Sequence, residues 1–433
     1  MPHTPVTILT GFLGSGKTTL LNRALGDPAM ANTAVVINEF GEIGLDHALA
    51  AQSDDTIMVL ENGCLCCTVF GDLVTTLNNL YHAREAGEIP RFDHVVIETS
   101  GLADPSPLIQ AFLSDPVLAG LYRIGIVVAT VDAVNGEGTL DNHVESVRQV
   151  ALADHILITK LDLVDPGRVQ ETEAALTARL RRLNPAAAIS RIDDSAFDIK
   201  LLRAEGLDPN NAKADARAWL NAAAYDEADA HHHHYHAHDG HGHDHEDHDH
   251  HHLHDRDIAS FCFTRDAPIA REALRLLLDA LQQNLGPNLL RVKGIVNVAE
   301  EPDRPAVIQG AQHLLHNLSW LDRWPDADRR SKIVFITQGF DRADVEDMIA
   351  LLDRVATRTA AARARAERVL ARVEPTGPAR RSGPDDKLRE TRELNRGLTL
   401  FADFAAAQSG CWLPNLIGQL SIHCTPNWSV SLP

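Results

Sequence analysis

Cysteine is scarce in this chain. Six residues in 433 are too few for a disulfide scaffold. Positive charge is also short, with Lys+Arg 40 against Asp+Glu 60 and a formal net charge of −20. That balance argues against a general nucleic-acid binder. Long apolar runs are missing. The longest stretches, such as Ile124 to Val131, fall well short of the roughly 18 residues that cross a bilayer, which excludes a membrane partner of that kind. A secretory signal is not visible either, because a strand and a Gly-rich loop occupy residues 5–18. The expectation is a cytoplasmic protein, where clustered Cys more often bind metal or do redox chemistry than form disulfides. Aromatic residues are only 5%.

What is present is ordinary in bulk and unusual in detail. Hydrophobic residues at 44% and charged residues at 23% exclude wholesale disorder. At about 150 residues per domain, the length predicts two domains plus extras. Residues 1–225 open with apolar runs that alternate with longer amphipathic stretches. The runs are Val6–Leu9, Ala34–Ile37, Ile57–Leu60, His94–Ile97, Ile126–Ala129 and Ile156–Ile158. Continuous β-branched runs suit strands buried on both faces, and their alternation with helices predicts a mainly parallel α/β sheet flanked by helices. Ligands then bind at the carboxyl ends of the strands.

Three further regions follow. Residues 226–257 are low complexity and hold 14 of the 23 His together with ten acidic residues. Residues 258–354 read as a smaller α/β (α+β) domain. Its strands are expected at Ile258–Thr264, near Leu290–Val298, at Val307–His313 and at Lys332–Thr337, and its helices at Ile269–Asn284 and Arg342–Arg354. Residues 355–433 form a basic, irregular tail of net charge +4, while the first 354 residues carry −24. No function is assigned to Cys411 or Cys424 in that tail.

Gly11-Phe12-Leu13-Gly14-Ser15-Gly16-Lys17-Thr18 matches the phosphate-loop pattern G-x-x-x-x-G-K-[ST], between a strand and a helical pattern over Thr19–Leu25. Its glycines let consecutive N–H groups face phosphate oxygens, and the helix start adds its positive end. Lys17 is expected to reach the β- and γ-phosphates and Thr18 to ligate Mg²⁺. Val95-Val96-Ile97-Glu98 places an acid at the end of a later strand. Glu98 suits Mg²⁺ binding through water, and the N–H of Gly101 suits contact with a γ-phosphate. Thr159-Lys160-Leu161-Asp162 follows another strand. Guanine sites read N-K-x-D, with the Asp accepting from the base and the Lys packing along it. Lys160 and Asp162 are in place, and Thr159 replaces Asn.

Cys64-Leu65-Cys66-Cys67 follows the run ending at Leu60 and the turn Glu61-Asn62-Gly63. In extended backbone Cys64 and Cys66 share a face and can chelate one ion. A permanent structural zinc site usually takes four protein ligands, so three local thiolates favour an open, exchangeable site. Small buried residues in a tight loop, or a redox pair, are the alternatives. Asn38-Glu39-Phe40-Gly41-Glu42-Ile43-Gly44-Leu45-Asp46 follows the second strand and is placed like a switch segment. Glu39 has three open roles: orienting the attacking water, contacting Mg²⁺, or completing the thiolate site.

GFLGSGKTT, NEFGEIGLD, ENGCLCC, ETSGLADP and TKLD, in this order, together resemble the CobW-like metallochaperone GTPases, relatives of the GTPases that deliver nickel to urease and hydrogenase. The resemblance covers residues 1 to about 220. It continues in Arg291-Val292-Lys293-Gly294-Ile295 and Ser331-Lys332-Ile333-Val334-Phe335-Ile336, which are similar to the family's smaller C-terminal domain. It implies GTP hydrolysis coupled to loading a metal, usually zinc and in some members cobalt, into an apo-metalloprotein client. Carried over residue by residue, Gly11, Gly14, Ser15, Gly16, Lys17, Thr18 and Thr19 bind the phosphates, with Gly101, Lys160 and Asp162 completing the nucleotide site. Cys64, Cys66 and Cys67 hold the cargo ion, and Lys17, Glu39 and Glu98 are the candidate catalytic residues. GTP, Mg²⁺ and Zn²⁺ (or Co²⁺) are the implied cofactors, and a homodimer is compatible with this reading. The tail after residue 355 has no counterpart in the family pattern.

The His-rich segment cannot order itself by burying apolar surface. Imidazoles interleaved with carboxylates suit Zn²⁺, Ni²⁺, Co²⁺ or Cu²⁺, so a weak many-site reservoir is expected, with an incidental solvated linker as the alternative. The rival overall readings are a zinc storage or buffering protein with incidental turnover, cobalt delivery for cobalamin biosynthesis, and a small-molecule kinase. The last gives no reason for the Cys cluster.

Overall fold

The structure is a computed structural model. It describes residues 3–38, 58–62, 70–207, 215–225, 258–312, 314–315, 318–351 and 354–355. The six apolar runs are strands: β1 Thr4–Gly11, β2 Thr33–Asn38, β3 Met58–Asn62, β4 His94–Thr99, β5 Tyr122–Asp132 and β6 His155–Thr159. Every neighbouring pair is parallel, in the order β3-β2-β4-β1-β5-β6, and a seventh strand, β7 Ala188–Arg191, extends the edge beside β6. β7 was not expected. Its Ala-Ile-Ser-Arg sequence has no apolar run, because an edge strand is covered on fewer sides.

Helices α1 Lys17–Leu25, α2 Phe70–Ala86, α3 Ser106–Ser114, α4 Pro116–Leu121, α5 Gly136–Asn142, α6 Val144–Leu152 and α7 Val169–Leu183 connect the strands. Their apolar faces close cores on both sides of the sheet. Leu73, Leu77, Leu108 and Phe112 meet Val6, Ile8, Val95 and Ile97 on one side. Leu20, Leu21 and Ala24 meet Leu9, Val35 and Val96 on the other. Burial on both faces is why the strands read as unbroken apolar runs. A short helix, α8 Ala216–Leu220, precedes the His-rich segment, which lies outside the described residues.

The second sheet belongs to the smaller C-terminal domain. It comprises β8 Ile258–Arg265, β9 Leu289–Val296, β10 Ala306–Ala311, β11 Leu314–Leu315, β12 Ser319–Trp320 and β13 Ser331–Gln338, with helix α9 Arg271–Asn284 between β8 and β9. All its strand pairs are antiparallel, in the order β11-β10-β9-β13-β8 with β12 also on β10. The arrangement is therefore the α+β form of the two expected for this domain. Its strands read like parallel ones because both faces are covered. Ile333 and Phe335 pack under α9 with Leu274, Leu277 and Leu281, and against Val345 and Ile349 of helix α10, residues 342–351. Val334 and Ile336 pack the opposite way, against Ala151, Leu220 and Tyr225. The expected helix at Ile269 begins at Arg271 instead, because Ile269 bridges Val298 in extended pairing. The expected strand Val307–His313 ends at Ala311. Among the described residues no helix is long and apolar enough to cross a membrane.

Candidate functional site

The carboxyl edge of the first sheet carries the site. β1 runs straight into the loop 11–16, which turns into α1. Gly11 has φ 137°, and a Cβ there would lie 2.4 Å from the Thr130 hydroxyl, so the loop entrance accepts only glycine. Gly14 and Gly16 also have positive φ, and the Ser15 amide donates to the Phe12 carbonyl across the turn (3.1 Å). Gly16 caps α1 without any side-chain bond, which leaves the helix start open to an anion.

Lys17 is 7% exposed, and its Nζ donates to the carbonyls of Gly11 (2.8 Å) and Phe12 (3.1 Å). The ammonium is thus held at the mouth of the loop. Thr18 Oγ1 donates to Glu98 Oε1 at 3.0 Å, which joins the start of α1 to the end of β4. Thr19, one residue on, is exposed. Leu9 and Glu98 are register partners on adjacent strands, and this is what brings two residues 80 apart in sequence together. A hydroxyl and a carboxylate at this spacing form a hard oxygen pair of the kind Mg²⁺ takes.

Gly101 lies directly against the loop. A Cβ there would lie 2.5 Å from the Leu13 amide nitrogen and 2.7 Å from its Cα. Its carbonyl accepts from Gln149 Nε2 of α6 (3.1 Å), which also donates to the Ala103 carbonyl (3.0 Å). The segment after β4 is therefore anchored from behind and pressed against the phosphate loop in front.

The base motif meets the same loop from the other side. Thr159 Oγ1 donates to the Ser15 carbonyl at 2.7 Å, and Ser15 Oγ lies 2.6 Å from Thr130 Oγ1. Lys160 sits in left-handed backbone at φ 60°, and its Nζ donates to Asp132 Oδ2 at 2.8 Å. Burial pushes the Asp132 carboxyl up. Hydrogen bonds from Lys160, Asn135 and the Val134 amide outweigh it and hold the group below its ordinary range. Asp162 is exposed in the short helical turn Leu161–Leu163.

The structure thus brings together Gly11, Gly14, Ser15, Gly16, Lys17, Thr18, Glu98, Gly101 and the 159–162 motif. Glu39, Cys64, Cys66 and Cys67 lie outside the described residues. The strands that precede them end level, with Asn38 paired to both Asn62 and Thr99 at this edge. Among the described residues no group of three or more His, Cys, Asp or Glu could hold a metal ion. Sequence reasoning missed Thr130, Asp132, Gln149 and His143, whose ring stacks on Phe12 with centroids 4.4 Å apart. Asp132 had a signal, as an acid at a strand end beside the base motif. The other three reach the loop only through the fold.

Comparison with known proteins places this geometry. The CobW/HypB/UreG nucleotide-binding domain matches residues 5–191, and the cobalamin synthesis protein cobW C-terminal domain matches residues 258–352. The zinc chaperone YjiA of Escherichia coli (strain K12) is 32% identical over 334 residues, which span 76% of this chain and 93% of that protein. The zinc chaperone CobW of Pseudomonas aeruginosa is 31% identical over 382 residues, with 80% and 90% covered. The solved Zn(II)-bound YjiA GTPase from E. coli superposes with a TM-score of 0.56 at 28% identity, covering 81% of this chain and 99% of that one. The chain, with both domains matched and close to the full length of its relatives spanned, belongs to the CobW/HypB/UreG family.

Proposed function

We propose that this protein is a GTP-hydrolysing metallochaperone. It binds a transition metal, zinc in the first instance, at Cys64, Cys66 and Cys67 and passes it to an apo-metalloprotein client. The observation that carries the reading is the junction of Lys17, the Thr18–Glu98 pair and Gly101 on one phosphate loop. Zinc is favoured over cobalt because the relatives that span most of this chain are named zinc chaperones.

GTP enters with its phosphates in the 11–18 loop, where the backbone N–H groups and the start of α1 face them. Lys17 exchanges its two carbonyl partners for β- and γ-phosphate oxygens. Thr18 and Glu98 are the residues that would hold Mg²⁺, which supplies neutralisation of charge developing on the phosphate oxygens. Asp162 accepts from the guanine edge, and Lys160, steadied by Asp132, lies along the ring. Water attacks the γ-phosphorus, the bond from that phosphorus to the β–γ bridging oxygen breaks, the water's proton passes to an oxygen of the departing phosphate, and GDP and inorganic phosphate leave. Lys17 balances charge on the leaving side, and the Gly101 N–H loses its γ-phosphate partner.

Release of a thiolate-bound ion needs a second state. A 10⁴-fold change in affinity requires about 5.5 kcal/mol of differential stabilisation, and ordering of a switch segment by the γ-phosphate is a known source of such a difference. In this reading the 38–46 segment and the ENGCLCC segment change together, because the strands that precede them are register partners. The His-rich segment 226–257 raises the local metal concentration, and that effect weakens as pH falls through the His range, since the ligands must be deprotonated.

The test is GTP turnover with Mg²⁺, with and without buffered Zn²⁺ or Co²⁺, in wild type and in the triple Cys64→Ala, Cys66→Ala, Cys67→Ala chain. Turnover should respond to the cargo metal in wild type and lose that response in the triple variant, which still binds GTP. Metal transfer to an apo-client that persists in the triple variant would overturn the mechanism. Many bound ions with turnover insensitive to metal and client would favour a storage protein.

A further inference from the structure

Asp104 lies three residues beyond Gly101, in the turn that opens α3. Its Oδ1 accepts from the Ser106 amide (2.8 Å) and the Ser106 hydroxyl (2.6 Å), which fixes the start of that helix. Its Oδ2 accepts from Arg148 Nη1 of α6 (3.1 Å) and from Gln312 Nε2 (2.9 Å). Gln312 belongs to the second domain, in the turn immediately after β10. It is itself held in place: its backbone has φ 51°, its amide donates to the Leu289 carbonyl (2.6 Å), and its Oε1 accepts from Gln110 of α3 (3.3 Å). A side chain of the second domain therefore hydrogen-bonds to a carboxylate in the segment that carries Gly101.

We infer that Gln312, acting through Asp104, is a positioning residue for the nucleotide site, so that the second domain helps set where the Gly101 amide meets a γ-phosphate. The inference rests on the GTPase reading above and adds a residue to it. Three features support it. Gly101 has no slack, because the backbone of Leu13 stands within Cβ contact distance. The 101–104 segment is short and held at both ends, by Gln149 on the Gly101 and Ala103 carbonyls and by Arg148 and Gln312 on Asp104. The bonds to Asp104 are made to a charged acceptor in a mostly buried setting, where they are stronger than neutral bonds. Coupling of this kind is reciprocal. If Gln312 favours the arrangement that takes triphosphate, then triphosphate favours the arrangement that holds Gln312, and a client docked on the second domain would be sensed at the phosphate loop.

The experiment uses the full chain with Mg²⁺ and measures equilibrium binding of GDP and of a non-hydrolysable GTP analogue. Gln312→Glu sets a second carboxylate against Asp104, and Gln312→Ala removes the donor more gently. Both should lower affinity for the triphosphate analogue, by about tenfold for the Glu variant (~1.4 kcal/mol), and leave GDP affinity within about twofold, because GDP has no γ-phosphate for Gly101 to read. Asp104→Asn combined with Gln312→Glu returns a donor–acceptor pair and keeps a carboxylate near Arg148, so it should restore most of the preference. An unchanged triphosphate-to-diphosphate ratio in both single variants would overturn the inference, as would an equal loss for both nucleotides, the mark of a merely structural contact. Wild type that binds neither nucleotide would overturn the GTPase reading and this inference with it. Wild type that binds both, with the ratio unmoved by the variants, would overturn this inference alone.

Discussion

Thr159 shows what a single hydroxyl does in this site. The guanine pattern has Asn at this position, and a reading of the tetrapeptide alone counts Thr as a weakness. In the structure the Thr159 hydroxyl donates to the carbonyl of Ser15, 144 residues away, and its methyl lies 3.4 Å from where a Cβ of Gly16 would stand. The residue ties the 159–162 motif to the 11–16 loop. In the proposed function base recognition falls to Asp162 and to Lys160, whose ammonium is fixed by Asp132. Thr159→Val keeps the shape and removes the donor, at a cost of about 1 kcal/mol for a buried neutral hydrogen bond. The expected outcome is a loss of about fivefold in affinity for GDP and for GTP alike, since the loop serves both, with specificity for guanine retained. Fluorescence titration with labelled GDP measures it. GDP affinity equal to wild type would show that the loop is held in place without this bond.

At the scale of elements, most of the first sheet was legible because its strands are covered on both faces and so appear as unbroken β-branched runs. β7 was not, because an edge strand needs no such run. The direction of the second-sheet strands was not legible either. β13 inserts between β8 and β9, and no local pattern in β8 or β9 records that neighbour. The site divides the same way. Gly11 to Thr18 could be read because strand, loop and helix are contiguous, whereas Thr130, Gln149 and Gln312 join it across 115, 48 and 208 residues. Gly101 lies between these cases: its motif was visible, but its contact with the phosphate loop was not. Gly101→Ala would place a methyl 2.5 Å from a backbone nitrogen, and backbone cannot move aside as a flexible side chain can. The segment after β4 must then retreat. GTP turnover at saturating nucleotide should fall at least tenfold while GDP binding stays near wild type. Turnover close to wild type would mean that the 101–104 segment is not part of the hydrolytic arrangement.

At the scale of the whole molecule, two sheets of different topology are held together by a charged clasp as well as by apolar packing. Asp154, just before β6, accepts from Lys293 Nζ (2.6 Å) and from the Arg291 guanidinium, and its second oxygen caps the Val127 amide (2.9 Å). Arg291 also donates to the carbonyls of Leu152 and Ala153, and Lys293 stands 4.7 Å over the Trp219 ring. Burial pushes the Asp154 carboxyl up, but the two cations more than offset it and hold it far below the ordinary range. Burial and the neighbouring Arg291 push Lys293 the other way, down to about 8, with Asp154 opposing them. These are the Arg and Lys of the Arg291-Val292-Lys293-Gly294 stretch, so a motif with no evident chemistry in the sequence acts as a docking device. Asp154→Asn leaves two buried cations facing each other without an anion. Removing one partner of a buried pair costs about 3 kcal/mol or more, whereas Glu85→Gln, at a surface pair with Arg84 that is half exposed on the Glu side, should change stability by less than ~1 kcal/mol. Urea unfolding of the two variants beside wild type compares them directly. A loss at Asp154 no larger than at Glu85 would mean that the apolar contacts of Ala151, Leu220 and Tyr225 with the second sheet hold the domains together without the clasp. A loss several times larger would mean that domain docking depends on a charge, and that salt and partner charge at this junction can shift it.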